Sequence, residues 1–217
     1  MLIDLFLAIW EQWFNIFLNF GFVFFSIILA LWYENLGAPK LRIFIDPTTD
    51  SIKENGWRTR FLHLKVKNEP RKGFLFVTEQ TAFSCHGTIT FLTADYKQLG
   101  NPMPIRWDGN PEPLNPKIVN NEIKYLVDNR LMRLSRYIDI PPFEPESLAI
   151  AVRIEGDPNA YGWTGESYKY NWRHPDYKLP AGEYVARISL TTGDRVFKQD
   201  FRFKNPEQFE SFDLVYS

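Results

Sequence analysis

Over 217 residues the chain carries 25 Lys and Arg against 26 Asp and Glu, a net charge of −1, with a single cysteine. No basic cluster or stripe breaks that balance, which excludes an electrostatic nucleic-acid surface. One cysteine excludes a disulfide framework and any cysteine-based zinc site.

The first 33 residues contain no lysine or arginine, and residues 12–33, QWFNIFLNFGFVFFSIILALWY, carry no formal charge. As a helix this stretch is about 33 Å long, enough to cross a hydrocarbon core of about 30 Å. A cleaved signal peptide fits poorly. Only Asp4 and Glu11 are charged before the apolar run, so there is no basic leader, and Trp32-Tyr33-Glu34-Asn35 lacks a small-x-small site. Trp10, Trp13, Trp32 and Tyr33 sit where an aromatic belt belongs. The expectation is an anchor over 1–34, a link over 35–40 and one soluble domain over 41–217. Lys40, Arg42, Lys53 and Arg58 follow the span, so the positive-inside rule puts the soluble domain in the cytoplasm at the cell membrane. One cysteine and the lack of an Asn-x-Ser/Thr sequon agree with a reducing, unglycosylated side.

Within the helix Asp4, Ala8, Glu11, Asn15, Asn19, Ser26 and Ala30 recur at spacings of three, four or seven, interrupted by Phe22. They form one stripe of small and polar side chains. Such a stripe permits close helix approach and hydrogen bonds across an interface. Ala8, Glu11, Asn15, Asn19 and Ser26 are therefore candidates for self-association or for docking on another membrane protein. The alternative is that the acids sit among headgroups and the asparagines are tolerated in isolation.

Beyond residue 40 the hydrophobic period changes to two. Strands are expected at 41–46, 61–67, 83–93, 104–107, 123–127, 132–140, 148–154, 184–190 and 195–203, with no soluble helix. Phe83, Cys85, Ile89 and Phe91 are expected to point inward. A turn is expected at 95–100. Thr191-Thr192-Gly193-Asp194 reads as a hairpin turn, and the prolines at 141, 142 and 145 break the chain. Short strands separated by Gly, Pro and Asn argue for an all-β antiparallel sandwich. Gly182-Glu183-Tyr184, at the start of the penultimate strand, resembles the tyrosine corner of immunoglobulin-like domains, although Ala186 stands where an antibody domain has cysteine. The fold class expected is an immunoglobulin-like antiparallel β-sandwich preceded by one N-terminal transmembrane helix.

The least ordinary segment is residues 157–177, DPNAYGWTGESYKYNWRHPDY. Tyr161, Trp163, Tyr168, Tyr170, Trp172 and Tyr177 crowd into one connection, and long connections in compact domains are often functional. Tyr and Trp among Gly, Ser and Asn also make binding surfaces. One reading is a protein-binding or glycan-binding patch with Arg173 and Glu166 as polar partners. The other is a ring cluster capping the open end of the sandwich core. Asp108, Asn110 and Glu112 alternate in a proline-rich turn, but three acceptors fall short of a calcium shell. His63, His86 and His174 lie on separate elements, which argues against a metal. Cys85 and His86 should point to opposite faces of one strand, leaving Cys85 a core thiol. Glu144 and Glu146 look exposed, and neither a nucleophile elbow nor a phosphate loop is present.

Pro104-Ile105-Arg106-Trp107 with Pro111-Glu112-Pro113-Leu114, then Ala160-Tyr161-Gly162-Trp163 with Glu166-Ser167-Tyr168, and the ending Phe201-Arg202-Phe203-Lys204-Asn205, resemble prokaryotic membrane-anchored β-domain proteins. Over most of the soluble part that resemblance implies one anchor, one sandwich and no assigned activity. The function expected is a non-enzymatic, membrane-anchored interaction protein without a cofactor. Its partners would be the bilayer and a second copy or another membrane protein. The competing expectation is an extracytoplasmic carbohydrate-binding module that uses the aromatic loop.

Overall fold

The structure is a computed structural model describing residues 2–52, 58–70, 79–119 and 122–217, with backbone alone for 2–9, 11, 119, 122 and 123. The strand end expected at 123 and the Ala8 and Glu11 side chains therefore lie outside the described side chains. Contacts divide the chain into two units, Met1–Pro39 with Pro70–Gln80, and Lys40–Glu69 with Thr81–Ser217.

The first unit is built on helix α1 (Leu2–Gly37). From Gln12 to Gly37 it is long and apolar enough to cross a membrane. Those 26 residues measure about 39 Å, longer than a hydrocarbon core, which a helix accommodates by tilting. The helix runs three residues past the expected anchor end at 34. Asn35 continues it by donating its side-chain amide to the Leu31 carbonyl at 3.0 Å. The Gly37 carbonyl, left without a partner at the helix end, accepts from the Gln80 amide at 3.0 Å. Pro39 then prevents continuation.

The second unit is mostly antiparallel sheet. Its strands in chain order are β1 (Leu41–Ile45), β2 (Thr49–Ile52), β3 (Arg58–Asn68), β4 (Ala82–Leu92), β5 (Gln98–Pro104), β6 (Arg106–Trp107), β7 (Leu114–Val119) and β8 (Glu122–Val127). After helix α2 (Asn129–Leu134) come β9 (Ile138–Ile140), β10 (Pro145–Ile154), β11 (Ala160–Gly162), β12 (Lys178–Leu179), β13 (Gly182–Thr192), β14 (Arg195–Asn205) and β15 (Asp213–Tyr216). One sheet has the order β1-β3-β10-β11-β12, with β2 also on β3 and β6 also on β10. The other has the order β15-β14-β13-β4-β5, with β9 on β4. The hairpin β7-β8 belongs to neither.

Alternation explains the core. Leu62, Leu64 and Val66 of β3 are buried on the face that meets Ile89 and Phe91 of β4, Ala186, Ile188 and Leu190 of β13, and Phe201 and Phe203 of β14. Each large apolar side chain so buried contributes about 1.5–3 kcal/mol. Trp107 is fully buried, and its indole N–H donates to the Cys85 carbonyl at 3.1 Å, linking one sheet to the other. Cys85 is itself a buried thiol, and burial pushes its pKa up to about 11. Asn205, buried at the end of β14, donates to the Leu179 and Pro180 carbonyls at 2.9 Å each. The Tyr184 hydroxyl donates to the Pro180 carbonyl at 3.0 Å, as its place after Gly182 suggested. Thr192 pairs with Arg195, so the β13-β14 turn has two residues, and Gly193 supplies the positive φ of 56° at its first position.

Three expectations need correction. Phe83 points outward at 64% exposure. Ser84 takes φ 51°, and the pairing of β4 with β9 slips between Ala82 and Cys85. The two-residue period breaks there, so Ala82 and Cys85 are both buried although three positions apart. Residues 129–134, expected as solvated strand and its lead-in, form α2. Asp128 caps that helix by accepting from the Arg130 amide at 2.8 Å, Met132 is its buried residue, and strand resumes only at Ile138. The turn expected over 95–100 is shorter, because β5 starts at Gln98.

Candidate binding face

β10 buries both of its faces from Leu148 to Ile154, and Phe61 and His63 of β3 are half-buried on the outer side. Register places Leu64 opposite Leu148 on the core side, and a bulge between Ala149 and Ala151 resets the alternation. Ala149, Val152 and Phe61 lie on the outer face, where Tyr161 and Trp163 cover them. The segment 157–177 thus lies over one sheet as a second, smaller apolar layer.

Trp163 is its hub, only 8% exposed. Its ring centroid is 4.6 Å from Phe61, 5.2 Å from His63 and 5.6 Å from Trp172, the last nearly perpendicular at 89°. Tyr168 lies 4.5 Å from Trp172. These separations suit edge-to-face attraction, worth about 0.5–1.5 kcal/mol per pair beyond burial. A turn of 3-10 helix at Gly165–Tyr170 carries Tyr168 and Tyr170. Thr164 and Ser167 cap it reciprocally, with Ser167 Oγ accepting from the Thr164 amide at 3.1 Å and Thr164 Oγ1 accepting from the Glu166 amide at 3.0 Å.

Asp157 pins the start of the segment. It accepts from the Tyr161 hydroxyl at 3.3 Å, the Arg173 guanidinium at 3.0 Å and the Asn159 amide at 3.0 Å. Burial pushes its carboxyl up, but the Asn159 and Arg173 hydrogen bonds outweigh that and hold it below the usual carboxylate range. At the far end His174 is buried between Tyr170 and Tyr177, at 4.4 and 4.6 Å. The exposed tip runs through Tyr170, 46% exposed, and Asn171, to half-buried Trp172 and Arg173. Asn171 (φ 47°) and Trp172 (φ 72°) are both left-handed. For a bulky residue such as Trp172 that conformation costs on the order of 1–3 kcal/mol, and such strain collects at functional sites.

Beneath the rings lies a polar chain. Arg106 is 2% exposed; its guanidinium sits 5.6 Å from the Trp163 ring and 5.5 Å from the Tyr168 ring, and it donates to Asp108 Oδ1 at 2.9 Å. Asp108 Oδ2 accepts from Ser147 Oγ at 3.1 Å and from His63 Nδ1 at 2.5 Å. His63 Nε2 then faces the Thr49 hydroxyl at 3.0 Å. Hydroxyl, imidazole and carboxylate stand in the order of a nucleophile relay. The Arg106–Asp108 ion pair and the Asp108–His63 contact hold His63 in place against Trp163. Burial pushes the Tyr168 hydroxyl far above its ordinary pKa, and it donates to Glu112 Oε1 at 3.3 Å as a neutral phenol. Among the described residues no three of His, Cys, Asp and Glu converge as metal ligands would.

The residues singled out from sequence therefore divide. Tyr161, Trp163, Tyr168 and Trp172 come together as a packed layer; Tyr170 and Arg173 stand at its solvent edge. Arg106, His63 and Ser147 were not anticipated as members. His63 and Ser147 lie some forty residues from Asp108, a pairing with no local signal; the turn around Asp108 drew notice only as a weak calcium pattern.

On α1, Asn15, Asn19 and Ser26 are exposed along one face. Ser26 Oγ donates to the Phe22 carbonyl at 2.7 Å. Beside that face Phe14, Phe17, Leu18, Phe22 and Phe25 surround Gly21 in a shallow groove that the stripe of polar spacing did not include. Comparison with protein-family models, curated proteins and solved structures finds no match to this chain.

Proposed function

We propose that the chain is a single-pass, membrane-anchored interaction protein without enzymatic activity, its β-sandwich body lying on the cytoplasmic side. The observation that carries this reading is α1: from Trp13 to Asn35 its side chains are exposed to a surround that must itself be apolar. Lys40 and Arg42 directly after the helix favour the cytoplasmic side. We read the body as immunoglobulin-like, supported by its two antiparallel sheets and by the tyrosine-corner bond from Tyr184 to Pro180.

A protein partner has two surfaces to engage. Within the bilayer, the Asn15, Asn19 and Ser26 face and the Gly21 groove permit close approach by a second helix. On the body, the tip at Tyr170, Trp172 and Arg173 offers an aromatic anchor held in a strained backbone. Co-purification in mild detergent from cells bearing Tyr170→Ala, beside wild type, tests the second surface. Tyr170→Ala should cost about 1 kcal/mol for the lost ring contact with His174 and leave the chain folded, while removing a co-purifying partner. Undiminished capture by a folded Tyr170→Ala protein would contradict the tip as the contact.

A further inference from the structure

The hairpin β7-β8 stands outside both sheets. An isolated two-stranded ribbon is marginal in water, and this one is tied at its base by the Asp128 amide donating to the Pro113 carbonyl at 2.8 Å. Register sorts its residues by face. Leu114 pairs with Val127 and Pro116 with Tyr125, and Ile118 shares their side of the pleat. The opposite side carries the pairs Asn115–Leu126 and Lys117–Lys124. Ile118 is 78% exposed and Tyr125 64%.

Two features here work against the ribbon in water. One is the uncovered apolar face. The other is a pair of lysines set directly across from one another, an arrangement that is destabilising. Among the described residues neither lysine has an ion-pair partner.

We propose that this hairpin is an amphipathic ribbon that lies on the surface of a bilayer carrying anionic headgroups. The inference rests on the reading of α1 as a membrane span, and only residues 38–40 separate α1 from β1. Pro116, Ile118 and Tyr125 enter the headgroup–acyl boundary, the depth that tyrosine favours. The two lysine stems run around the edges of a ribbon about 5 Å wide, and their ammonium groups meet lipid phosphates. The charge pattern is that of interfacial helices, with an apolar side toward the acyl chains and a lysine side among headgroups. The anionic surface removes the lysine–lysine penalty and adds about tenfold or more to the docked-to-free ratio for the pair.

The test uses the full chain, in nanodiscs of phosphatidylcholine mixed with phosphatidylglycerol, on a Cys85→Ala background. Single cysteines at Ile118→Cys, Phe24→Cys and Val196→Cys carry an environment-sensitive fluorophore. Labels at 118 and 24 should emit as in lipid and be quenched by acyl-chain nitroxides, while the label at 196 stays in water. Lys117→Glu with Lys124→Glu, or discs of phosphatidylcholine alone, should cut the quenching at 118 severalfold and leave that at 24 unchanged. A label at 118 in water with 24 in lipid would overturn the ribbon proposal alone. A label at 24 in water would remove the anchor and the ribbon together. Crosslinking of 118 to 118 in detergent would make a second copy, not lipid, the occupant and overturn the proposal.

Discussion

Asp157 carries the attachment of the aromatic segment, and its chemistry gives that attachment a pH dependence. Its carboxylate is held below the ordinary range in the fold, mainly by the Asn159 amide and Arg173 against the opposing effect of burial. A depressed carboxylate contributes stability that is complete above its unfolded value of 3.8 and is lost as pH falls through the lower folded value. Asp157→Asn keeps the shape and removes the charge. Wild type should therefore exceed this variant by about 1 kcal/mol at neutral pH, and the difference should vanish in strong acid. Urea unfolding in detergent at both pH values measures it, and a gap that persists in acid would contradict the assignment. Arg153 shows the complementary residue-level solution. It is a buried cation satisfied by backbone, with its guanidinium donating to the Glu207 carbonyl at 2.8 Å and also to that of Pro206. Burial lowers its pKa, and the carbonyls supply the hydrogen bonds that water would otherwise give.

Among the elements, the β4-β13 pairing leaves no room for a side chain at Gly87. Gly87 sits opposite Leu190, and a Cβ at that position would lie 1.9 Å from the Ser189 carbonyl oxygen. Backbone blocks the space, so no rotamer relieves it. Gly87→Ala should destabilise the chain by about 3 kcal/mol or abolish folding, whereas Gly193→Ala, which meets open space and only left-handed strain, should cost about 1 kcal/mol. Thermal unfolding of the two variants compares them, and an equal small loss at both sites would contradict that close approach. The same element scale shows what was readable beforehand. β3, β13 and β14 alternate cleanly, and their inward residues follow from period two alone. α2 did not follow, because six residues with one buried Met132 carry too little periodicity; the readable signal was Asp128 as a cap. Phe83 failed for a local reason, the left-handed Ser84, which alternation cannot register. The aromatic composition of 157–177 was conspicuous in sequence. The Arg106–Asp108–His63–Thr49 chain beneath it is assembled from β2, β3, β6 and the residue after β6, and only the sheet order brings those together.

As a whole molecule the chain joins an apolar helix to a mostly β body. The body buries its apolar surface between two sheets and under the aromatic layer. From Trp13 to Asn35 the α1 side chains are exposed among the described residues, and they find their partner elsewhere. If that partner is lipid, the cost of exposing Phe, Leu, Ile and Trp along the whole span forbids release into water. The most direct measurement is alkaline carbonate extraction of membranes containing the full chain, followed by detergent. The intact 217-residue chain should stay in the pellet through carbonate and appear in solution only with detergent. Recovery of the intact chain in the carbonate supernatant would contradict the account.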